Sequence, residues 1–324
     1  MDAVSFIITV FNKSPFLPGV VAALARQTGS FAREFIFIDD GSSDGSGELV
    51  AQLTASWSEK VEVLRQKNRG ASAATNLGAR RASGFWLKLV DGDDLLLPRA
   101  TESLLEAAKS EGEGFAYGTL GTYDPLDPDP LRSARAPLQR AKEKDGLKRF
   151  IRNCAANSSA ILVSKERFFA AGGCDERLVC PDPALFLRLF AKGGGARFED
   201  AVALVPDKAP GRLSELQHLN QYELVLALYY LVAETPGLEA RYARLASRRA
   251  LSRARRFERR ERGTFFLNRH LLVLAASRLG LPIDPLRAIE KALSAFTPDG
   301  RSKRPVEWLP GALREESGGH GTSR

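Results

Sequence analysis

The feature that most constrains this chain is a repeated exchange of two periodicities over its first 120 residues. Short apolar runs rich in β-branched and aromatic residues recur: VSFIITV (4–10), EFIFID (34–39), VEVLR (61–65) and FWLKLV (85–90). Between them lie stretches whose apolar residues return every three or four positions. A run of the first kind suits a strand covered on both faces, and the intervening helices supply the cover. Ser14 and Pro15 can start the first helix, with Leu17, Val20, Val21 and Leu24 as its apolar stripe. ELVAQL (48–53) and the small-residue segment GASAATNLGARRA (70–82) read as helices, the second able to approach a sheet closely. Pro98 opens another, and GFAYGTL (114–120) reads as a fifth strand.

This rhythm predicts an α/β fold, a mostly parallel sheet flanked by helices. SSAILVS (158–164) continues as strand, KERFFAAGG as a short helix ending at glycine, and PDPALFLRLFAKGG (181–194) as a helix. Residues 124–146, rich in Asp, Pro, Lys and Arg, read as a mobile surface loop able to act as a lid. From about 210 the pattern is helical and polar. The chain therefore divides into a sheet domain (1–209), a helical C-terminal region (210–300) and a tail (301–324) expected to be disordered.

In such sheets ligands bind outside the carboxyl ends of the strands. The polar motifs fall there: Asn12 after the first strand, Asp39 and Asp40 after the second, and Asp91 after the fourth. The segment DDGSSDG (39–45) superficially matches a calcium loop, but the twelfth position, which needs a bidentate Glu, is Ala51. Neither a phosphate-binding lysine loop nor GxGxxG follows the first strand. Asp44 reads as a helix cap. The Asp39–Asp40 pair is left to accept a hydrogen bond from a base N–H or a ribose hydroxyl.

DGDD (91–94) crowds Asp91, Asp93 and Asp94 at a strand end, where like charges repel and burial is costly. Two readings compete. Acids are favourable in a turn leading into a helix, and Asp94 suits that role. Alternatively, two carboxylates joined by Gly92 can reach one hard divalent cation, Mg²⁺ or Mn²⁺, whose shell substrate phosphates complete. Gly92 lets the backbone come close to a ligand.

VSFIITVFN, FIFIDDGSSDGS, NRGASAATNLGARRASGFWLKLVDGDD, AGGCDERL and PDPALFLRLFAKGG occur in this order. The series resembles glycosyltransferase family 2, inverting nucleotide-sugar transferases with the Rossmann-like GT-A fold, over roughly residues 3–205. The resemblance implies that Thr9, Phe11 and Asn12 line the base and ribose pocket, that Asp39 bonds the nucleobase, and that Asn68 contacts the nucleotide. Asp91 and Asp93 match the DxD motif, Asp93 as metal ligand and Asp91 as ligand of ribose or metal, with Gly92 between them in the donor site. Asp182 matches the catalytic base, and Asp175 competes for that role. Inversion needs a base that takes the acceptor hydroxyl proton; without the resemblance, Asp182 reads more simply as a helix cap. The chain departs from the family pattern at Phe11, Thr75, Pro181 and Ala209, where a hydroxyl, an arginine, a glutamate and a metal-binding histidine are common. His218 lies further on.

Composition bounds the partners. The 324-residue chain carries a net charge of +8, which favours acidic partners. Ten arginines against two acids lie within 241–262. The basic helix 241–263 is either a solvated face or a peripheral contact with anionic lipid headgroups; no nucleic-acid-reading motif accompanies it. Three cysteines without a CxxC pair point to a reducing cytoplasm, and MDAVSFIITVFN lacks a signal peptide's basic start. The expected function is transfer of one sugar from a nucleoside diphosphate sugar, UDP-linked by preference, to a hydroxyl on a cell-surface glycan or lipid-linked acceptor. The rivals are a nucleotidyltransferase that makes nucleotide-sugars and a non-catalytic basic module that binds membrane or nucleic acid.

Overall fold

The structure is a computed structural model describing residues 2–110, 112, 114–132, 138–153, 157–207, 217–262 and 269–296. Ala209 and the tail 301–324 lie outside the described residues, as does the side chain of His218.

Among the described residues nine strands form one sheet: β1 (Ala3–Val10), β2 (Ala32–Asp39), β3 (Lys60–Arg65), β4 (Trp86–Asp91), β5 (Leu95–Leu96), β6 (Phe115–Tyr123), β7 (Arg140–Ala141), β8 (Ile161–Ser164) and β9 (Ala196–Pro206). Their order is β3-β2-β1-β4-β8-β6-β9-β5, with β7 on β9. β3, β2, β1 and β4 are parallel, as are β6 and β9; β8 is antiparallel to both β4 and β6. The helices are α1 (Leu17–Ala25), α2 (Ser46–Leu53), α3 (Ala71–Arg81), α4 (Ala100–Ser110), α5 (Gly146–Asn153), α6 (Lys165–Ala170), α7 (Asp182–Ala191), α8 (Gln217–Glu234), α9 (Ala240–Arg262), α10 (Arg269–Arg278) and α11 (Pro285–Leu293).

Strand alternation explains the two cores. Ile7, Ile36, Ile38, Leu87 and Leu89 point to one face and share a core with Phe150, Phe186 and Phe190, where Phe150 stacks on Phe186 and tilts against Phe190. Phe6, Ile8, Phe35, Phe37 and Val90 point to the other, under α1 and α4. Both sides of the same strands are apolar because both are covered. The small-residue helix α3 lies on the first face. A side chain at Gly78 would collide with Ile7, so only glycine permits this approach. Tyr222, Leu228, Ala250, Leu251 and Ile289, from the helices beyond residue 216, join that same core.

Three local expectations are corrected, and one strand is new. The first helix starts at Leu17, because Ser14 is held in the preceding turn by its N–H bonding Asp44 (3.0 Å). Residues 158–160 are a 3₁₀ turn, not strand, because Asn157 caps them by accepting the Ser159 N–H. The described end of the 124–146 loop is stapled rather than mobile: β7 pairs with β9, and Glu143 receives the Tyr117 hydroxyl (2.6 Å) and pairs with Arg149 (2.8 Å). β9 is a strand that the chain's local pattern did not announce. It is a partly exposed strand without strict alternation, and pairing with β6 and β5 rather than periodicity defines it.

Candidate active site

β1 organises the site. In the parallel register Thr9 stands opposite Asp91 of β4, and Val10 opposite Asp39 of β2, so the acids flank the carboxyl end of one central strand. Phe11 follows and is 44% exposed. Asn12 adopts a left-handed backbone (φ 52°), which asparagine tolerates better than most residues. Its N–H donates to Ser42 Oγ (3.0 Å) and its side-chain carbonyl accepts from the Ser43 N–H (2.9 Å). Asn12 thus ties the loop after β1 to the loop after β2. That is a structural use the sequence reading did not foresee.

The two acids after β2 divide their tasks. Asp40 is buried and accepts from Gln66 Nε2 (2.7 Å) and from the backbone N–H groups of Arg69 and Gly70 (both 2.8 Å). It fixes the loop that leads into α3, and its carboxyl is pushed up by burial, against those hydrogen bonds. Asp39 accepts from the Ser42 N–H through Oδ1 (2.8 Å), while Oδ2 faces Arg65 Nε at 3.6 Å without a hydrogen bond. That oxygen is a buried acceptor still able to take an N–H donor. Asn68, half-buried, passes close to Gly41, where a side chain would come within 3.0 Å of its backbone nitrogen.

The acid turn after β4 is held from three sides. Gly92 is needed for a reason other than ligand approach: a Cβ there would stand 2.7 Å from the Thr9 carbonyl, so the turn abuts β1 itself. Asp93 is 6% exposed, pairs with Lys13 Nζ at 2.6 Å, and its carbonyl accepts the Tyr123 hydroxyl (2.9 Å). Beneath the turn lies Lys88, wholly buried, donating to the carbonyls of Ser159 (2.7 Å) and Leu89 (2.9 Å). Burial pushes its ammonium down to about 7, and Asp94 and Asp91 oppose that shift. The Asp91 carboxyl is raised well above its usual range by burial, then by the charges of Asp94, Asp182 and Asp93. Lys13 and Lys88 are neighbours of the acid turn that sequence reasoning missed; a charged residue inside the apolar run FWLKLV was the available sign for the second.

Asp182 is joined to this cluster by the turn Asn157–Ser158–Ser159. Ser158 Oγ donates to Asp182 Oδ1, the Asp91 N–H donates to Ser159 Oγ (2.9 Å), and Asn157 Nδ2 reaches Asp91 Oδ2 (3.5 Å). Burial raises the Asp182 carboxyl, and the Ser158 hydrogen bonds oppose it. Asp182 is the first residue of α7 but makes no cap; its carboxylate is turned to Ser158. Asp175 is occupied otherwise. Arg177 donates to both its oxygens (2.8 and 2.7 Å), and those bonds outweigh burial and hold the carboxyl below its usual value. Thr75, where the family pattern favours arginine, donates to the Ala71 carbonyl within α3 (2.9 Å).

The donors near the acid turn are hard oxygens, suited to Mg²⁺ or Mn²⁺. Among the described residues no group of three or more His, Cys, Asp or Glu side chains forms a ready-made cage. Asp91 and Asp93 offer two carboxylates of that kind, Asp93 already paired with Lys13 at 2.6 Å.

A nucleotide-type α/β sheet with acids at its carboxyl edge is the architecture of GT-A glycosyltransferases, and solved structures of that class share it. TarS of S. aureus, residues 1–349, superposes with a TM-score of 0.60 at 16% identity, over 92% of this chain and 83% of that one. Mannosyltransferase PcManGT from Pyrobaculum calidifontis, solved with GDP-Man and Mn²⁺, gives 0.51 at 14% identity, over 90% and 84%. The family model "Glycosyl transferase family 2" matches residues 5–165, and the chain belongs to that family. Relatives include glycosyltransferase GlyG of Streptococcus pneumoniae (30% identical over 39% of this chain and 42% of that protein). The cholesterol galactosyltransferase of Borreliella burgdorferi is 35% identical over 37% and 33%. The chain spans 42%, 30% and 57% of the first three curated relatives it matches.

Proposed function

We propose that the protein transfers a single sugar, with inversion, from a nucleoside diphosphate sugar to an acceptor hydroxyl. The observation that carries this is the Asn157–Ser158–Ser159 turn, which bonds the DxD strand on one side and Asp182 on the other. Asp39 takes the base N–H through its unbonded oxygen, Phe11 offers its ring for stacking, and Thr9, Asn12, Asn68 and the Asp91–Gly92 backbone border the donor. Asp93, with Asp91, would hold Mg²⁺ or Mn²⁺, which would supply positive charge against the departing diphosphate. Asp182 removes the acceptor proton as the oxygen attacks the anomeric carbon, and the bond to the diphosphate breaks. Burial raises the Asp182 carboxyl, which makes its ionised form a stronger base.

A UDP-sugar is the preferred donor; the TarS structures solved with UDP and with UDP-GlcNAc support that choice by likeness of fold. A cell-surface glycan or lipid-linked acceptor on the cytoplasmic side, with 1–209 as the catalytic unit and 210–300 as its helical companion, completes the reading. No described helix is long and apolar enough to cross a membrane. α9 then serves as a peripheral contact through the arginines of its first half.

Thermal shift with UDP, dTDP, GDP and CMP, each with and without Mn²⁺, tests the donor site. One nucleotide and Mn²⁺ should enhance each other's stabilisation. Donor turnover should then disappear in Asp182→Asn. Product formation from a nucleoside triphosphate and a sugar phosphate would instead support the nucleotidyltransferase rival. Absence of any nucleotide–metal synergy would support the non-catalytic module.

A further inference from the structure

A cavity of about 290 Å³ lies between the start of α5 and the first half of α9, and it shares no residue with the site described above. Lys148 reaches it from α5; Arg241, Arg244 and Arg248, spaced to fall on one helical face, reach it from α9. Asp145 is the single acid in its wall. That carboxylate is already engaged, accepting the Lys148 N–H (3.0 Å) and the Tyr242 hydroxyl (3.1 Å). Arg241 pairs with Glu239 at the rim (2.9 Å). Arg248 is fixed in place by Ser277, donating to its hydroxyl (2.9 Å) and its carbonyl, neither of which neutralises it. Among the described residues no ion pair involves Lys148, Arg244 or Arg248.

A merely solvated basic face would spread its charges outward. Here basic residues from two helices line one concavity, one guanidinium is held in advance, and a tyrosine forms part of the wall. Like charges so gathered repel unless an anion joins them. Guanidinium forks match phosphate oxygens in pairs, and the volume admits a phosphate with its attached group. We propose that this cavity binds a phosphate ester, presented either as a lipid headgroup or as a soluble phosphorylated molecule. The assignment stands independently of the transfer reaction and is tested by binding alone.

Two probes separate the sources: phosphatidylcholine vesicles with and without phosphatidylglycerol, and glycerol phosphate in solution. The full chain is compared with Lys148→Glu/Arg244→Glu, with the gentler Lys148→Gln/Arg244→Gln, and with Arg256→Glu/Arg259→Glu. The last pair lies exposed on the same helix outside the cavity, and changes net charge equally. Binding to at least one probe should weaken tenfold or more in the first variant, by an intermediate factor in the second, and less than twofold in the third. Vesicle binding alone identifies a headgroup, and glycerol phosphate binding alone a soluble ligand; either supports the site. Equal loss in the two charge-reversed pairs, or no binding of either probe by the unaltered protein, overturns it. Circular dichroism at each step establishes that the variants are folded.

Discussion

Ser158→Ala isolates one hydroxyl that touches the candidate base and nothing in the donor pocket. In the folded protein Ser158 Oγ donates to Asp182 Oδ1, and this bond opposes the burial that raises the carboxyl. A hydrogen bond to a charged group is worth about 1.5–3 kcal/mol. Losing it should disfavour the ionised form and raise Asp182 further. The ionised carboxylate is the active form of a base. The acid limb of the rate profile should therefore move to higher pH, while the alkaline plateau changes little. KM for the donor should stay near its original value, because Ser159 and Asn157 still hold Asp91. Ser158→Thr, which restores the hydroxyl, should return the limb to its place. The assay is nucleotide release across pH 5–9 at saturating donor and acceptor. An acid limb that stays put in Ser158→Ala, with a fall in rate at all pH values, would refute the reasoning. It would mean that Ser158 only braces the turn.

Three further outcomes follow from the same contacts. Asp93→Asn should abolish the Mn²⁺-dependent part of nucleotide stabilisation in a thermal shift, while stabilisation by nucleotide alone persists through the Asp39 side of the pocket. Gly92→Ala should destabilise the fold by about 1–3 kcal/mol in urea titrations, because the new methyl meets the Thr9 carbonyl at 2.7 Å and β1 must yield. Glu34 is buried, where burial alone would raise it, yet hydrogen bonds from Ser5, Lys60 and Ser83 hold it down at about 2 against an ordinary 4.5. Its folded value is depressed, so its stabilisation, of order 3 kcal/mol, is present above pH 4.5 and is lost as pH falls toward 2. Glu34→Gln should thus cost stability at pH 7 and flatten the acid limb of the stability profile.

The amino-acid sequence by itself determined the four parallel strands, the helices between them and the acids at their carboxyl ends. Those features are local: apolar runs, turn residues and the DGDD turn each state their role within about ten positions. It also carried the family, since VSFIITVFN, FIFIDDGSSDGS and the DGDD segment come in fixed order. Only the tertiary structure decided which acids serve structure. Asp40 is consumed by the loop before α3 and Asn12 by Ser43, across separations of 29 and 31 positions that no local pattern records, and Asp175 is taken by Arg177 two residues on. The same holds for Lys13 on Asp93 and for the turn that brings Ser158 to Asp182, separated by 80 and 24 positions. Strand β9 and the split of α9 into a packed and an exposed face were likewise settled by contact, since a strand without alternation and a helix crowded with arginine show their inner side only against what they touch.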